Sequence, residues 1–285
     1  ILKGETFDVI HHLRPFLLGS TFNLIALLNL NKKIPFVIGP FCSAYKKEYD
    51  ISYFVRMVKF ILKPFLTYLS RMTLKKAAKI LVYDQYTKNQ VALCLGDDKK
   101  IVVIPPGKDM NIYQFKERLY CNKIELLYVG HLTEIKGVQF LIEAFSIIAD
   151  KDKDVILRIV GDGPERDNLV SLVKEKGLED KIFFSGFIEN RFIHECYFSA
   201  HIFISMQQEE SFGQVFLEAM ACGLPIVATE TIGARNIILD GKTGYIISNG
   251  NVYQMAEKIL FLLCNRNKIR EMSVFARNEF VNNYD

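Results

Sequence analysis

The sequence predicts an α/β protein built from two doubly wound parallel-sheet domains, and three observations predict it. From Glu125 onward, short β-rich runs alternate with helix-length amphipathic segments, the pattern of βα units. Several of those runs are continuously apolar, as strands covered by helices on both faces must be. The first hundred residues repeat the alternation less cleanly, and Pro105, Pro106 and Gly107 punctuate the chain between the halves.

In the first half, strands are expected near 7–11, 35–39, 79–83 and 101–104. The polar stretch from Gly107 to Asn122 reads as a linker, so the boundary is set near residue 108, with domains 1–108 and 109–285. In the second half, strands are expected at 126–130, 155–161, 182–187, 201–206, 225–229 and 244–247. Helices are expected near 137–149, 164–176, 190–199, 213–221 and 251–264. Pro164 suits a first helical turn, and Gly177 and Gly223 fall where a left-handed residue ends a helix.

The 285 residues suffice for two such domains, and with half of them apolar and a quarter charged the chain is globular. The six cysteines are scattered, with no Cys-x-x-Cys pair and no zinc-ligand spacing, which fits reduced thiols in the cytoplasm. The apolar stretch 17–30 is interrupted by Ser20, Thr21, Asn23 and Asn29 and is shorter than the roughly 20 residues a membrane-spanning helix needs. No basic leader precedes the opening strand, so the chain is expected to begin inside a longer protein. No strand is followed by G-x-G-x-x-G and a later acid, which argues against a nicotinamide oxidoreductase.

Charge is uneven. Residues 1–110 hold 17 Lys and Arg against 8 Asp and Glu, and the remainder holds 19 against 24. A basic first half favours an anionic partner, whether phospholipid, phosphate-bearing acceptor or nucleic acid; of these, no nucleic acid is expected. Within it, segment 52–75 repeats polar residues every three or four positions (Arg56, Lys59, Lys63, Arg71, Lys75) between aromatic and aliphatic ones. That is a basic amphipathic helix, which either lies on an anionic membrane surface or packs on its own sheet with a solvated stripe.

The chemistry concentrates in 210–229. A strand ends at Met206, a polar loop carries Glu210, and Gly213 opens a helix containing Glu218. This predicts a concave site at the carboxyl edge of a parallel sheet. The backbone N–H groups of Gly213, Gln214 and Val215, at a helix start, suit a diphosphate. Glu210 and Glu218 suit hydroxyls, which a sugar ring and a ribose both supply.

Glu210, seven residues, Glu218, then Ala219, Met220, Ala221, Gly223 and Pro225 resemble the signature of retaining glycosyltransferase family 4, two-domain enzymes of GT-B architecture. The resemblance implies that Glu210 holds the transferred sugar and Glu218 the ribose, with Ser211, Phe212, Gly213, Gln214 and Val215 on the sugar and phosphates. Val129, Gly130, His131 and Leu132, followed by Lys136 and Gly137, resemble the family's V-G-R-L and K-G elements, which face the donor diphosphate. Lys136 would neutralise the leaving diphosphate. His131 stands where the family has Arg, and an imidazole lacks the guanidinium's bidentate fork. Gly161–Pro164 and Asp240–Gly244 resemble turns of the donor domain, and Ile188, in Ser185–Ile188, is the expected nucleobase contact. The family's G-x-P-E is here Gly233, Ala234, Arg235, Asn236.

In the first half, Asp8–His12 resembles a strand end that delivers a histidine to the donor sugar; the spacing is H-H rather than H-x-H, and His12 is favoured. Residues 79–90 resemble the segment before the linker, and Val103–Asp109 resembles the hinge I-P-N-G-V-D. The opening strand and glycine-rich loop of the acceptor domain have no counterpart, so the chain is expected to be truncated at both ends.

What the resemblance implies is a retaining glycosyltransferase with catalytic residues Glu210, Lys136 and His12, taking a UDP- or GDP-sugar and a hydroxyl acceptor such as a lipid-linked or cell-surface glycan. No cofactor and no metal are expected, and the place is the cytoplasm, peripheral on the inner face of the membrane. Two other readings stand beside it: a nucleotide-sugar-binding protein without turnover, and a nucleotide-sugar epimerase.

Overall fold

The structure, a computed structural model, describes residues 9–12, 35–41, 68, 71–116, 118 and 123–284. The chain forms two compact units, Ile1–Pro105 and Pro106–Asp285.

In the first unit, β1 (Ile10–His12), β2 (Phe36–Phe41), β3 (Lys79–Val82) and β4 (Ile101–Val103) pair in parallel in the order β1-β2-β3-β4. Helix α1 (Gln85–Leu95) starts at Asp84, whose carboxylate accepts from the Thr87 amide at 2.7 Å and the Thr87 hydroxyl at 2.8 Å. This satisfies one of the amides a helix start leaves open. Ile38, Leu74, Ile80, Val82 and Val91 form the core. Most of segment 52–75 lies outside the described residues. Its described end is helical over 71–76, burying Thr73 and Leu74 and exposing Arg71, Lys75 and Lys76.

The second unit is a run of βα pairs: β5 (Ile124–Val129), α2 (Val138–Lys151), β6 (Val155–Val160), α3 (Arg166–Glu175), β7 (Ile182–Gly186), α4 (Ile193–Ser199), β8 (Ile202–Ser205), α5 (Gln214–Ala221), β9 (Ile226–Thr229), α6 (Ile232–Ile237), β10 (Gly244–Ile247), α7 (Val252–Cys264) and α8 (Arg266–Asn283). Its six strands are all parallel, in the order β10-β9-β8-β5-β6-β7. The chain winds outward through β6 and β7, then returns to the other side of β5 with β8. The carboxyl ends of β5 and β8 therefore flank the topological switch point, where open α/β sheets leave a crevice. The central strands are buried along their length, as in β8 (Ile202, Phe203, Ile204, Ser205) and β9 (Ile226, Val227, Ala228, Thr229). This is why their sequences are continuously apolar rather than alternating.

Helices α6 and α8 are absent from the sequence expectation. The second packs on α5 and fixes its far end: the Ser273 hydroxyl and the Arg277 guanidinium donate to the carbonyls of Gly223 and Ala221. Arg118, buried, donates from the other side to the carbonyls of Cys222 and Tyr197, both at 2.9 Å. Two guanidinium groups thus meet carbonyls that a helix end leaves without partners, at the negative pole of the helix dipole.

Candidate functional site

Lys136 belongs to the 3-10 turn Glu134–Lys136 that follows β5, and Gly137 fixes where that turn sits. At φ 66°, a Cβ on Gly137 would lie 2.1 Å from the Met206 carbonyl oxygen, so the backbone after β5 is pressed on the backbone after β8. The Gln208 amide donates to the Ile135 carbonyl at 2.9 Å and locks the two loops together. Across this junction, Lys136 Nζ donates to Glu210 Oε2 at 3.2 Å and to Gln207 Oε1 at 3.0 Å. The other oxygen of Glu210 accepts from the amides of Gly213 at 3.0 Å and Phe212 at 3.4 Å. Glu210 thus occupies two of the amides at the start of α5, where the sequence reading expected the Gly213 amide to stand open. Gln214 and Val215, in the first turn of α5, have no acceptor within the helix.

Gln207 lies inside this group and was not singled out from the sequence. It is 3% exposed; its backbone carbonyl accepts from the Thr229 hydroxyl, its Oε1 holds Lys136, and its buried Nε2 has no partner. A buried amide left unpaired costs on the order of 1–3 kcal/mol.

Glu218 forms a second group along α5. Its Oε1 accepts from Lys108 Nζ at 2.6 Å and its Oε2 from the Tyr197 hydroxyl at 2.7 Å. Tyr197 is fully buried, and burial together with the Glu218 carboxylate pushes its phenol well above the ordinary value, so it stays a donor. Tyr113, edge-on to Tyr197 at 6.1 Å, is raised by burial and then by Glu218. Glu218 is five residues beyond Gly213, about 7.5 Å along the helix at about 1.5 Å per residue, and touches neither Lys136 nor Glu210 in this network.

A cavity of about 670 Å³ follows the carboxyl ends of β5, β6 and β7, lined by Gly130, His131, Gly161, Asp162, Phe187 and Ile188 among others. Gly161, at φ 133°, allows its floor: a Cβ there would lie 1.9 Å from the Gly130 carbonyl oxygen. Tyr128 joins this cavity to the first group. Its hydroxyl donates to the His131 carbonyl at 3.4 Å, and burial followed by the nearby Glu210 charge raises its phenol.

The predicted residues therefore fall into three neighbouring groups: Gly130, His131 and Ile188 on the cavity; Lys136, Glu210, Phe212 and Gly213 at the switch point, with Ser211, Gln214 and Val215 in the same loop and turn; and Glu218 further along α5. His12 ends β1 in the first unit, paired with Ile38; its side chain lies outside the described residues. Among the described residues, no helix is long and apolar enough to cross a membrane.

The family model described as "Glycosyl transferases group 1" matches residues 109–279, and that of "Glycosyltransferase Family 4" matches 1–111. The N-acetyl-alpha-D-glucosaminyl L-malate synthase of Bacillus anthracis is 32% identical over 193 residues, covering 61% of this chain and 50% of that protein. The chain thus spans about half the length of that curated relative. Among solved structures, Anabaena HepE in complex with UDP superimposes with a TM-score of 0.80 at 19% identity, covering 98% of this chain and 75% of that one. An S. aureus TarM variant, also in complex with UDP, gives 0.71 at 24% identity, covering 91% and 50%. The α/β fold of this chain, with its parallel sheets, matches these GT-B glycosyltransferase structures.

Proposed function

Since the chain belongs to the glycosyl transferases group 1 family, we propose that it moves a sugar from a nucleoside diphosphate to an acceptor hydroxyl, with retention at the anomeric carbon. One observation carries the reading: an ammonium, Lys136, and a carboxylate, Glu210, meet at 3.2 Å at the switch point, beside the open first turn of α5. Ammonium and helix amides match a diphosphate, and a carboxylate matches sugar hydroxyls. Both complexes with UDP named above share the fold, which supports a nucleoside diphosphate as the leaving half.

In this proposal the bond from the anomeric carbon to the diphosphate oxygen breaks and its electron pair stays on the diphosphate. The acceptor oxygen bonds to the same face of that carbon, and its proton passes to the departing phosphate oxygen. Lys136 and the amides of Gln214 and Val215 stabilise the negative charge as it develops, without a divalent ion. Glu210 orients the sugar, Glu218 takes the ribose, and Gly130, His131 and Ile188 line the cavity for the remainder of the donor. His12 is assigned to the sugar on the family resemblance.

The test is transfer of radiolabelled sugar from a panel of UDP- and GDP-sugars into membrane extract by the full-length protein. Lys136→Ala and Glu210→Ala are each expected to lower the rate by about 100-fold or more while melting like the parent. Near-parental transfer in both folded variants overturns the assignment. Donor binding without product favours a binding protein, and conversion of the sugar without acceptor favours an epimerase.

A further inference from the structure

We propose that Lys108 is a specificity-determining residue which, together with Glu218, reads the vicinal diol of the donor ribose and rejects a 2′-deoxyribose. The inference rests on the reading of Glu218 as the ribose acid and adds a partner that reading does not contain. Lys108 occupies the position of the valine in the I-P-N-G-V-D pattern that Val103–Asp109 resembles, so an ammonium stands where that pattern has an aliphatic side chain.

Lys108 is held from two directions. Its amide donates to the Tyr284 carbonyl at 3.2 Å, just past α8, and its Nζ donates to Glu218 Oε1 at 2.6 Å. The side chains of Lys108 and Glu218 are only 18% and 12% exposed, and Nζ lies 5.9 Å from the centre of the Tyr113 ring. In such a place a pair is screened far less than on the surface.

Hydrogen-bonding capacity then defines what the pair accepts. An ammonium has three donors, and Glu218 uses one. A carboxylate has about four acceptor positions; Lys108 and Tyr197 use two, the Tyr113 hydroxyl takes a third, and one stays open. What remains is a donor and an acceptor side by side on charged, largely buried groups. A vicinal diol fits both: one hydroxyl donates to Glu218 while a hydroxyl oxygen accepts from Lys108. Removing the 2′-hydroxyl leaves a charged group short of a partner, which discriminates far more strongly than a missing methylene does. Glu218 alone offers only acceptors, so it can take hydroxyl protons but has no donor for a hydroxyl oxygen.

The experiment is calorimetric titration of the wild type, Lys108→Met and Lys108→Arg with UDP, 2′-deoxy-UDP and UMP, and with the guanine counterparts. The wild type is expected to prefer the ribonucleotide by about 10-fold or more. In Lys108→Met that ratio should fall below about threefold, and in Lys108→Arg, which keeps the charge but replaces a compact ammonium by a planar fork, it should change by at least about threefold. The diphosphate-over-monophosphate ratio, which reports on Lys136, should stay within about twofold throughout. A ribose preference unchanged in both variants overturns the proposal, as does a parallel fall of both ratios. Lys108→Arg decides alone should the Met variant not fold, because it keeps a cation against Glu218. A wild type that binds none of these nucleotides refutes the donor-site reading itself, and this inference with it.

Discussion

Lys136 and Glu210 lie 3.2 Å apart, although 74 residues separate them and each follows a different one of the two strands that flank the switch point. Their side chains are 28% and 20% exposed, so the pair contributes little, on the order of 1 kcal/mol or less. A charge-assisted hydrogen bond to a phosphate is worth roughly 1.5–3 kcal/mol. Under the proposed function, a donor diphosphate would therefore take Lys136 without a large penalty and release Glu210 for hydroxyls as it does so.

Gln207→Leu separates function from stability. The substitution removes a buried amide nitrogen that has no partner, so thermal unfolding is expected to be unchanged or up to about 1 kcal/mol more favourable to the fold. Lys136 loses one of its two anchors, and affinity for the nucleoside diphosphate should fall by about three- to tenfold. Calorimetry beside a denaturation curve checks both; unfolding at lower denaturant with unaltered binding would contradict the role given to Gln207.

His131→Arg is expected to tighten donor binding. His131 is exposed on the rim of the cavity, so a longer side chain meets no packing obstacle, and a guanidinium adds a permanent charge and a bidentate fork for phosphate. A gain of about fivefold or more in diphosphate affinity, larger than any gain for the monophosphate, is the expected signature. Equal gains for both nucleotides would mean that His131 faces something other than the second phosphate.

Alkaline pH should destabilise the second unit. Tyr113, Tyr128 and Tyr197 all have phenols raised above the ordinary 10.0, by burial first and then by Glu218 or Glu210. The folded state keeps these protons where the unfolded chain gives them up. The stabilisation is complete below about pH 10 and is lost progressively above it. Melting temperatures measured from pH 8 to pH 11 should fall at the upper end, and the fall should be shallower in Tyr197→Phe, whose ring remains but cannot ionise. Parallel curves for the two proteins would exclude Tyr197 as a cause.

Strands β8 and β9 could be read from the sequence because a parallel strand buried on both faces leaves an uninterrupted apolar run, while the edge strands β7 and β10, only partly buried, were legible as short β-rich runs set between helix-length segments. The helix start at Gly213 could be read because glycine, the two glutamates and the A-M-A-x-G-x-P run are local in sequence. Helix α6 was not: its six residues, Ile232 to Ile237, include a glycine and are too short for a hydrophobic period to develop. Helix α8 carried a usable signal, since Ile269, Met272, Ser273, Ala276 and Phe280 are its buried residues and recur at helical spacing, but charged residues between them dilute it. Gln207 and Tyr197 left none, and Lys108 left only a departure from the hinge pattern, with nothing to say what it meets. Lys108 meets Glu218 across 110 positions and Gln207 meets Lys136 across 71, and such pairings depend on strand order, which no local pattern encodes.

The capping of α5 by Arg118 and Arg277 sets the minimum fragment that can be excised for biophysical work. A piece cut at residue 265 would contain every second-unit residue assigned to the donor, and would still strip the carbonyls of Ala221 and Gly223 of Arg277 and Ser273 and deprive the Lys108 amide of its Tyr284 acceptor. The start of the helix, which the proposal assigns to the donor, would be intact in sequence and loosened in space. Anyone dissecting this protein should carry the last helix along, although none of its side chains reaches the chemistry.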